Sequence, residues 1–178
     1  AYLLDDYAAD VEAVRAALGG EALDLVGHSL GARVALRYAV TRPERVRTLA
    51  LLDFFAAHWL GREAAPERPP QTYADEDGIL ARFRLHPAGT LLDAPSLRAL
   101  GRQGVRRGPD GRCMWKFDWR ALYPRQDWDP AEPSRATMPA LLLRGEESLT
   151  MPRAAFHAVL RALPDARGAV IARAHHHI

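Results

Sequence analysis

Short apolar runs alternate with segments of helical periodicity at both ends of the chain, and this alternation constrains the fold most. Leu23-Asp24-Leu25-Val26 runs into Gly27, and a helical pattern from Leu30 to Val40 follows until Pro43 stops it. Val46 to Leu52 is a second apolar run, closed by Asp53. Near the other end, Pro139 introduces Ala140–Arg144, Gly145 stops it, and Pro152 to Leu163 reads as an amphipathic helix before the short run Ala169–Ile171. Ahead of all these, Ala8, Val11, Val14 and Leu18 recur at helical spacing, and Gly19-Gly20 closes that segment as a C-cap would. Strands alternating with helices imply βαβ units. The expected class is α/β, a mainly parallel sheet flanked by helices.

The middle of the chain breaks the pattern. Residues 54–138 hold most of the 13 prolines and all four tryptophans (Trp59, Trp115, Trp119, Trp128), with no strand alternation. Helical stretches are expected around Glu76–Leu85 and Ser96–Val105. The segment reads as an insertion between two sheet strands, which divides the chain into a core of residues 1–53 and 139–178 and an inserted helical domain of residues 54–138.

Charge and cysteine content remove several function classes. The 178 residues carry a net charge of +2, and their arginines are scattered rather than run together, which argues against a nucleic-acid or membrane surface. The most apolar stretch, Leu49 to Ala57, is interrupted by Asp53 and far too short to span a bilayer. Cys113 is the single cysteine, so no intrachain disulfide forms. These features, with the lack of a signal-peptide pattern, lead to the expectation of a cytoplasmic protein acting on a small molecule.

Gly27-His28-Ser29-Leu30-Gly31 fits G-x-S-x-G and falls between an expected strand and an expected helix. Such a turn lifts the serine hydroxyl clear of the sheet and above the N-terminus of the next helix. Both glycines are expected at places where a Cβ would strike neighbouring backbone. The Leu30 N–H, with the helix dipole behind it, would face developing negative charge as one oxyanion donor. A serine nucleophile needs a base, and the base needs an orienting acid. The base is expected after the last strand, where His175, His176 and His177 sit; His176 is preferred over its neighbours.

With these residues in view, the chain resembles the α/β-hydrolase superfamily. Tyr7-Ala8-Ala9-Asp10, the elbow and Arg42-Pro43-Glu44-Arg45-Val46 carry the resemblance, and Ala172-Arg173-Ala174-His175-His176 aligns its base with His176. Arg82–Leu85 and Met114–Asp118 resemble cap segments of uncharacterised bacterial members, so the insertion would be the cap domain. The resemblance implies a hydrolase with an esterase-like Ser29–His176–acid triad and no cofactor. The family usually places its acid as Asp in G-x-x-D, whereas Gly145-Glu146-Glu147-Ser148 has serine there. Asp53, at the end of the strand after the elbow, is the expected acid, with Glu147 as the alternative. The family's first strands, and the loop supplying the second oxyanion donor, have no counterpart ahead of Ala1. The resemblance therefore implies a piece of a longer hydrolase, weakly stable and poorly active by itself.

Ser29 excludes the dehalogenases and epoxide hydrolases of this superfamily, which use aspartate there. Carbon–carbon hydrolases, cofactor-free haloperoxidases and acyltransferases share the serine, and a non-catalytic binding protein or an inactive fragment is the alternative from another class. His28 is read as a packing or peripheral hydrogen-bonding residue, the tryptophans as cap core or pocket lining, and Lys116 with Asp118 as a surface pair. His58, His86 and His157 have no partner at ligand spacing, so no metal site is expected, although the histidine run could collect adventitious metal.

Overall fold

The computed structural model describes residues 3–54, 71–118 and 129–178, and the chain divides into two compact units, residues 1–62 with 124–178 and residues 63–123. In the first unit the order is α1 (Leu4–Ala17), β1 (Leu23–His28), α2 (Leu30–Thr41), β2 (Val46–Leu52) and, after the insertion, β5 (Ala140–Gly145), α5 (Arg153–Ala162) and β6 (Ala166–Ile171). The strands form one parallel four-stranded sheet in the order β1-β2-β5-β6, with Leu25 opposite Leu49, Leu51 opposite Leu142 and Leu143 opposite Ala169. The expected parallel sheet is present, and in this unit every helix and strand boundary read from the sequence lies within three residues of the observed one, whereas the helix expected over Glu76–Leu85 ends at Leu80.

Strand alternation decides which side chains reach the helices. Leu49, Leu51, Ala140 and Leu142 point to one face, where they join Ala8 of α1, Ala35, Leu36 and Tyr38 of α2, and Phe156 and Val159 of α5 in one core. Val26 and Leu141 lie on the opposite face and are exposed. A 3₁₀ turn, Glu132–Arg135, packs against α2, with Glu132 and Pro133 buried. The expected insertion ran to residue 138; residues 129–138 instead belong with the first unit, because proline-rich backbone without periodicity still buries Ala136 and Met138 in that core.

Three side chains converge on Glu12 and tie α1 to the rest of its unit. Arg15 donates to it at 2.9 Å, the wholly buried Tyr38 donates its hydroxyl at 2.6 Å, and Arg45 pairs with it. The Arg15 hydrogen bond first, and Tyr38 second, hold the Glu12 carboxyl down at about 2. A carboxyl depressed by folding stabilises fully above the ordinary value of 4.5, and that contribution is lost as the pH falls through about 2. Glu12→Gln is therefore expected to lower the Tm at pH 7, with the gap to the unaltered chain closing as the pH approaches 2. An equal gap across that range in thermal melts would remove Glu12 from the account.

The second unit contains α3 (Glu76–Leu80), α4 (Ala94–Gln103) and an antiparallel hairpin, β3 (Val105–Arg107) with β4 (Cys113–Trp115). Asp75 and Asp93 cap the two helices, accepting from the Gly78 and Ser96 N–H groups at 2.7 and 2.8 Å. Buried Ile79, Leu80 and Cys113 form a small core with Tyr73, Val105 and Trp115, and the Phe83 and Trp115 rings lie 5.7 Å apart. The hairpin departs from the expectation of helices alone. Its three-residue strands are too short to display alternation, and its turn is Gly108-Pro109-Asp110-Gly111, with Gly111 at φ 77°. Lys116 donates to the Gln103 carbonyl at 2.8 Å, at the end of α4, where a cation suits the helix dipole. Trp59, Trp119, Trp128 and His58 lie outside the described residues. No helix among the described residues is long and apolar enough to cross a membrane.

Candidate active site

Because β1, β2, β5 and β6 are parallel, their C-terminal ends share one edge of the sheet, and the sequence's candidate residues gather there. The three non-glycine residues with positive φ among the described residues follow these ends: Ser29 (φ 54°) after β1, Asp53 (φ 40°) after β2 and Arg173 (φ 58°) after β6. Each such conformation costs about 1–3 kcal/mol and persists only where its surroundings enforce it. The Ser29 N–H donates to the Leu52 carbonyl at 3.0 Å, and the Asp53 N–H to the Leu143 carbonyl at 2.9 Å. Ser29 and Asp53 are thus each pinned to the neighbouring strand, and the Arg173 N–H donates to the Glu146 carboxylate at 2.8 Å.

Gly27 is indispensable to the turn. A Cβ there would lie 2.3 Å from the Gly31 carbonyl oxygen and 2.7 Å from the Ala32 Cα, which are backbone atoms with no freedom to move aside. Gly31 departs from expectation, since a Cβ on it meets nothing within 4 Å. Gly27→Ala is expected to cost at least about 3 kcal/mol. Gly31→Ala, inside α2, should be neutral or stabilise by up to about 1 kcal/mol. Thermal melts of the two variants check this, and equal losses would contradict the steric account.

Asp53 is wholly buried, and donors surround its carboxylate. Oδ1 accepts from the Ser148 hydroxyl at 2.5 Å and from His176 Nδ1 at 2.9 Å, while Oδ2 accepts from the Gly145 N–H at 2.7 Å. A carboxylate only accepts, so Nδ1 carries the imidazole proton, and Nε2 of neutral His176 is left with a lone pair. Ser29 Oγ lies 2.8 Å from that nitrogen, so its hydroxyl donates to Nε2. His176 is 2% exposed, which keeps water from competing for the hydrogen bond on the Asp53 side.

The loop after β5 is built to hold this carboxylate. Gly145 accepts no side chain, because a Cβ would fall 2.0 Å from the His175 carbonyl oxygen. Ser148 Oγ also accepts from the Thr150 and Met151 N–H groups, at 3.1 and 3.3 Å. Buried Arg144 donates to the carbonyls of Met151, Glu146 and Ser148 and so closes the loop around itself. Sequence reasoning noticed Ser148 as a departure from a pattern and missed it as a donor to Asp53. The useful signal was present in the buried strand β5 ending at Gly145.

Glu147 lies elsewhere, its carboxylate 3.8 Å from His175 Nε2. The His28 ring packs 4.7 Å from that of His176, and its Nε2 donates to the His176 carbonyl at 2.8 Å. Burial, above all, pushes His28 below the ordinary histidine range. Leu30 is the first residue of α2, directly after Ser29.

Comparison with known proteins bears on the family and the fold. Residues 1–178 match the family model described as the alpha/beta hydrolase fold. A 2-(acetamidomethylene)succinate hydrolase of Mesorhizobium japonicum is 32% identical over 187 residues, covering 99% of this chain. The chain spans 66% of that relative's length. A crystal structure of an E-2-(acetamidomethylene)succinate hydrolase superposes with a TM-score of 0.76 at 25% identity, covering 99% of this chain and 68% of the other. An esterase of Mycobacterium tuberculosis superposes with a TM-score of 0.78 at 21% identity, covering 98% and 63%, a likeness of fold. The parallel sheet, the strained serine between strand and helix, and the match along the whole chain have one meaning: this chain belongs to the α/β-hydrolase family.

Proposed function

We propose that the chain carries the catalytic machinery of a serine hydrolase that cleaves an ester, thioester or related carbonyl bond of a small, partly apolar substrate. The observation that supports this most is the unbroken relay from Ser29 Oγ to His176 Nε2 and from His176 Nδ1 to Asp53 Oδ1, at 2.8 and 2.9 Å. In this reading Ser29 attacks the carbonyl carbon while His176 takes its proton. The tetrahedral oxyanion is met by the Leu30 N–H at the start of α2. Asp53 keeps the imidazole in the productive tautomer and offsets the charge it gains. His176 then returns the proton to the leaving group, and water repeats the cycle on the acyl-enzyme. The insertion after β2 is proposed as the cap domain that the resemblance implies.

The Ser148 position, where the family usually has the aspartate of G-x-x-D, has a place in this reading, since its hydroxyl serves the Asp53 carboxylate. The test is turnover by the purified chain. p-Nitrophenyl acetate, an acyl thioester and 2-(acetamidomethylene)succinate, named by the Mesorhizobium relative, are the first substrates. Ser29→Ala is expected to reduce the hydrolysis of any accepted substrate by about 10⁶-fold. Undiminished turnover in Ser29→Ala would overturn the proposal.

A further inference from the structure

Three imidazoles meet beside Ser29, although no ligand spacing in the sequence announces them. His28 ends β1, while His176 and His177 follow β6, so the fold joins groups 148 residues apart. One ring nitrogen from each lies within 4.8 Å of the others. The ring centroids are 4.7 Å apart for His28 and His176, 4.9 Å for His176 and His177, and 5.8 Å for His28 and His177. His176 is buried, but His28 and His177 are only half-buried, so one side of the cluster is open to an ion from solvent.

We propose that His28, His176 and His177 form an inhibitory site for a borderline divalent cation of the Zn²⁺ class, which binds in place of the Ser29 proton. Such ions prefer imidazole nitrogen at about 2.0–2.1 Å in tetrahedral geometry, which sets ligand nitrogens about 3.3 Å apart. The nitrogens must therefore close by roughly 1.5 Å at most, which requires the two half-buried rings to rotate and His28 to give up its Nε2 hydrogen bond to the His176 carbonyl where its ring turns. Three protein ligands leave a fourth position for water. His176 is suited to the role because its Nδ1–H is already donated to Asp53, an arrangement that orients a metal-binding imidazole and raises its basicity. Its other nitrogen, Nε2, has one lone pair, which accepts the Ser29 hydroxyl at 2.8 Å. A cation on that lone pair leaves Ser29 without a base. This inhibitory consequence rests on the reading of His176 as the base, whereas binding of the ion does not.

The experiment uses the full chain freed of metal by dialysis against a chelator. Co²⁺ is titrated first, because tetrahedral imidazole-bound Co²⁺ absorbs visibly and reports binding without any substrate. Zn²⁺ is then added in competition. One ion per chain is expected for the unaltered protein and for His175→Gln, with affinity reduced at least about tenfold in His28→Gln and, separately, in His177→Gln. Far-UV circular dichroism establishes that each variant folds. If His175→Gln weakens binding and His28→Gln does not, the histidine run alone holds the ion and the proposal fails. It fails equally if no Co²⁺ spectrum develops. For the inhibitory half, Zn²⁺ should slow fluorophosphonate labelling of Ser29, with recovery on adding chelator, and should lose that effect at the same concentration in His177→Gln. Unslowed labelling with Zn²⁺ bound would overturn inhibition. A chain that never labels yet binds Co²⁺ through His28 and His177 would refute the hydrolase reading while leaving the metal site in place.

Discussion

Asp53→Asn is expected to lower kcat by about 10⁴-fold. The wild-type carboxylate answers three donors, the Ser148 hydroxyl, His176 Nδ1 and the Gly145 N–H, with two accepting oxygens. An amide offers one accepting oxygen and one NH₂ group. With the NH₂ toward Gly145, two N–H donors oppose each other in a buried pocket, a mismatch that costs on the order of 1–3 kcal/mol. With the NH₂ toward His176, Nδ1 must give up its proton to become the acceptor. The proton then resides on Nε2, and the imidazole no longer takes the serine hydroxyl's proton. Either orientation separates protein geometry from chemistry, so the loss appears in kcat far more than in KM. Glu147→Gln is the companion variant, and its rate should match that of the unaltered chain. A large loss in Glu147→Gln with a small one in Asp53→Asn would reassign the acid.

His176→Ala is expected to reduce kcat by about 10⁶-fold, as far as Ser29→Ala does, and the double variant should be no worse than either single one. Nucleophile and base act as a unit: once the base is lost, an unassisted hydroxyl contributes almost nothing, so removing it as well costs nothing further. The two losses multiplying in the double variant would mean that Ser29 and His176 work in separate steps. His175→Ala, beside it in the chain but turned toward Glu147, should leave turnover unaltered.

The parts of this molecule legible in the sequence are those set by local chemistry. The strand Val46–Leu52 and the helix after Ser29 follow from apolar periodicity and from proline and glycine at their ends, and both are observed. The elbow is legible because Gly27, Ser29 and the flanking pattern sit within a few residues. The choice between Asp53 and Glu147 is of another kind. It depends on β2 and β5 being neighbours, which brings the ends of both strands together and lets the Gly145 N–H and the Ser148 hydroxyl reach Asp53. Linear sequence carries no distance across that gap. The β3–β4 hairpin eluded periodicity because three residues make no pattern, and the need for glycine at 31 was overstated because only the first glycine faces backbone. The meeting of His28 with His177 depends wholly on the sheet bringing the ends of β1 and β6 to one edge.

The claim that Ser29 is an activated nucleophile is tested most directly by intact-mass measurement after exposure to a fluorophosphonate. The unaltered chain should gain one phosphonyl adduct, and Ser29→Ala should gain none. An unmodified wild-type mass, or an adduct that survives in Ser29→Ala, would contradict the account.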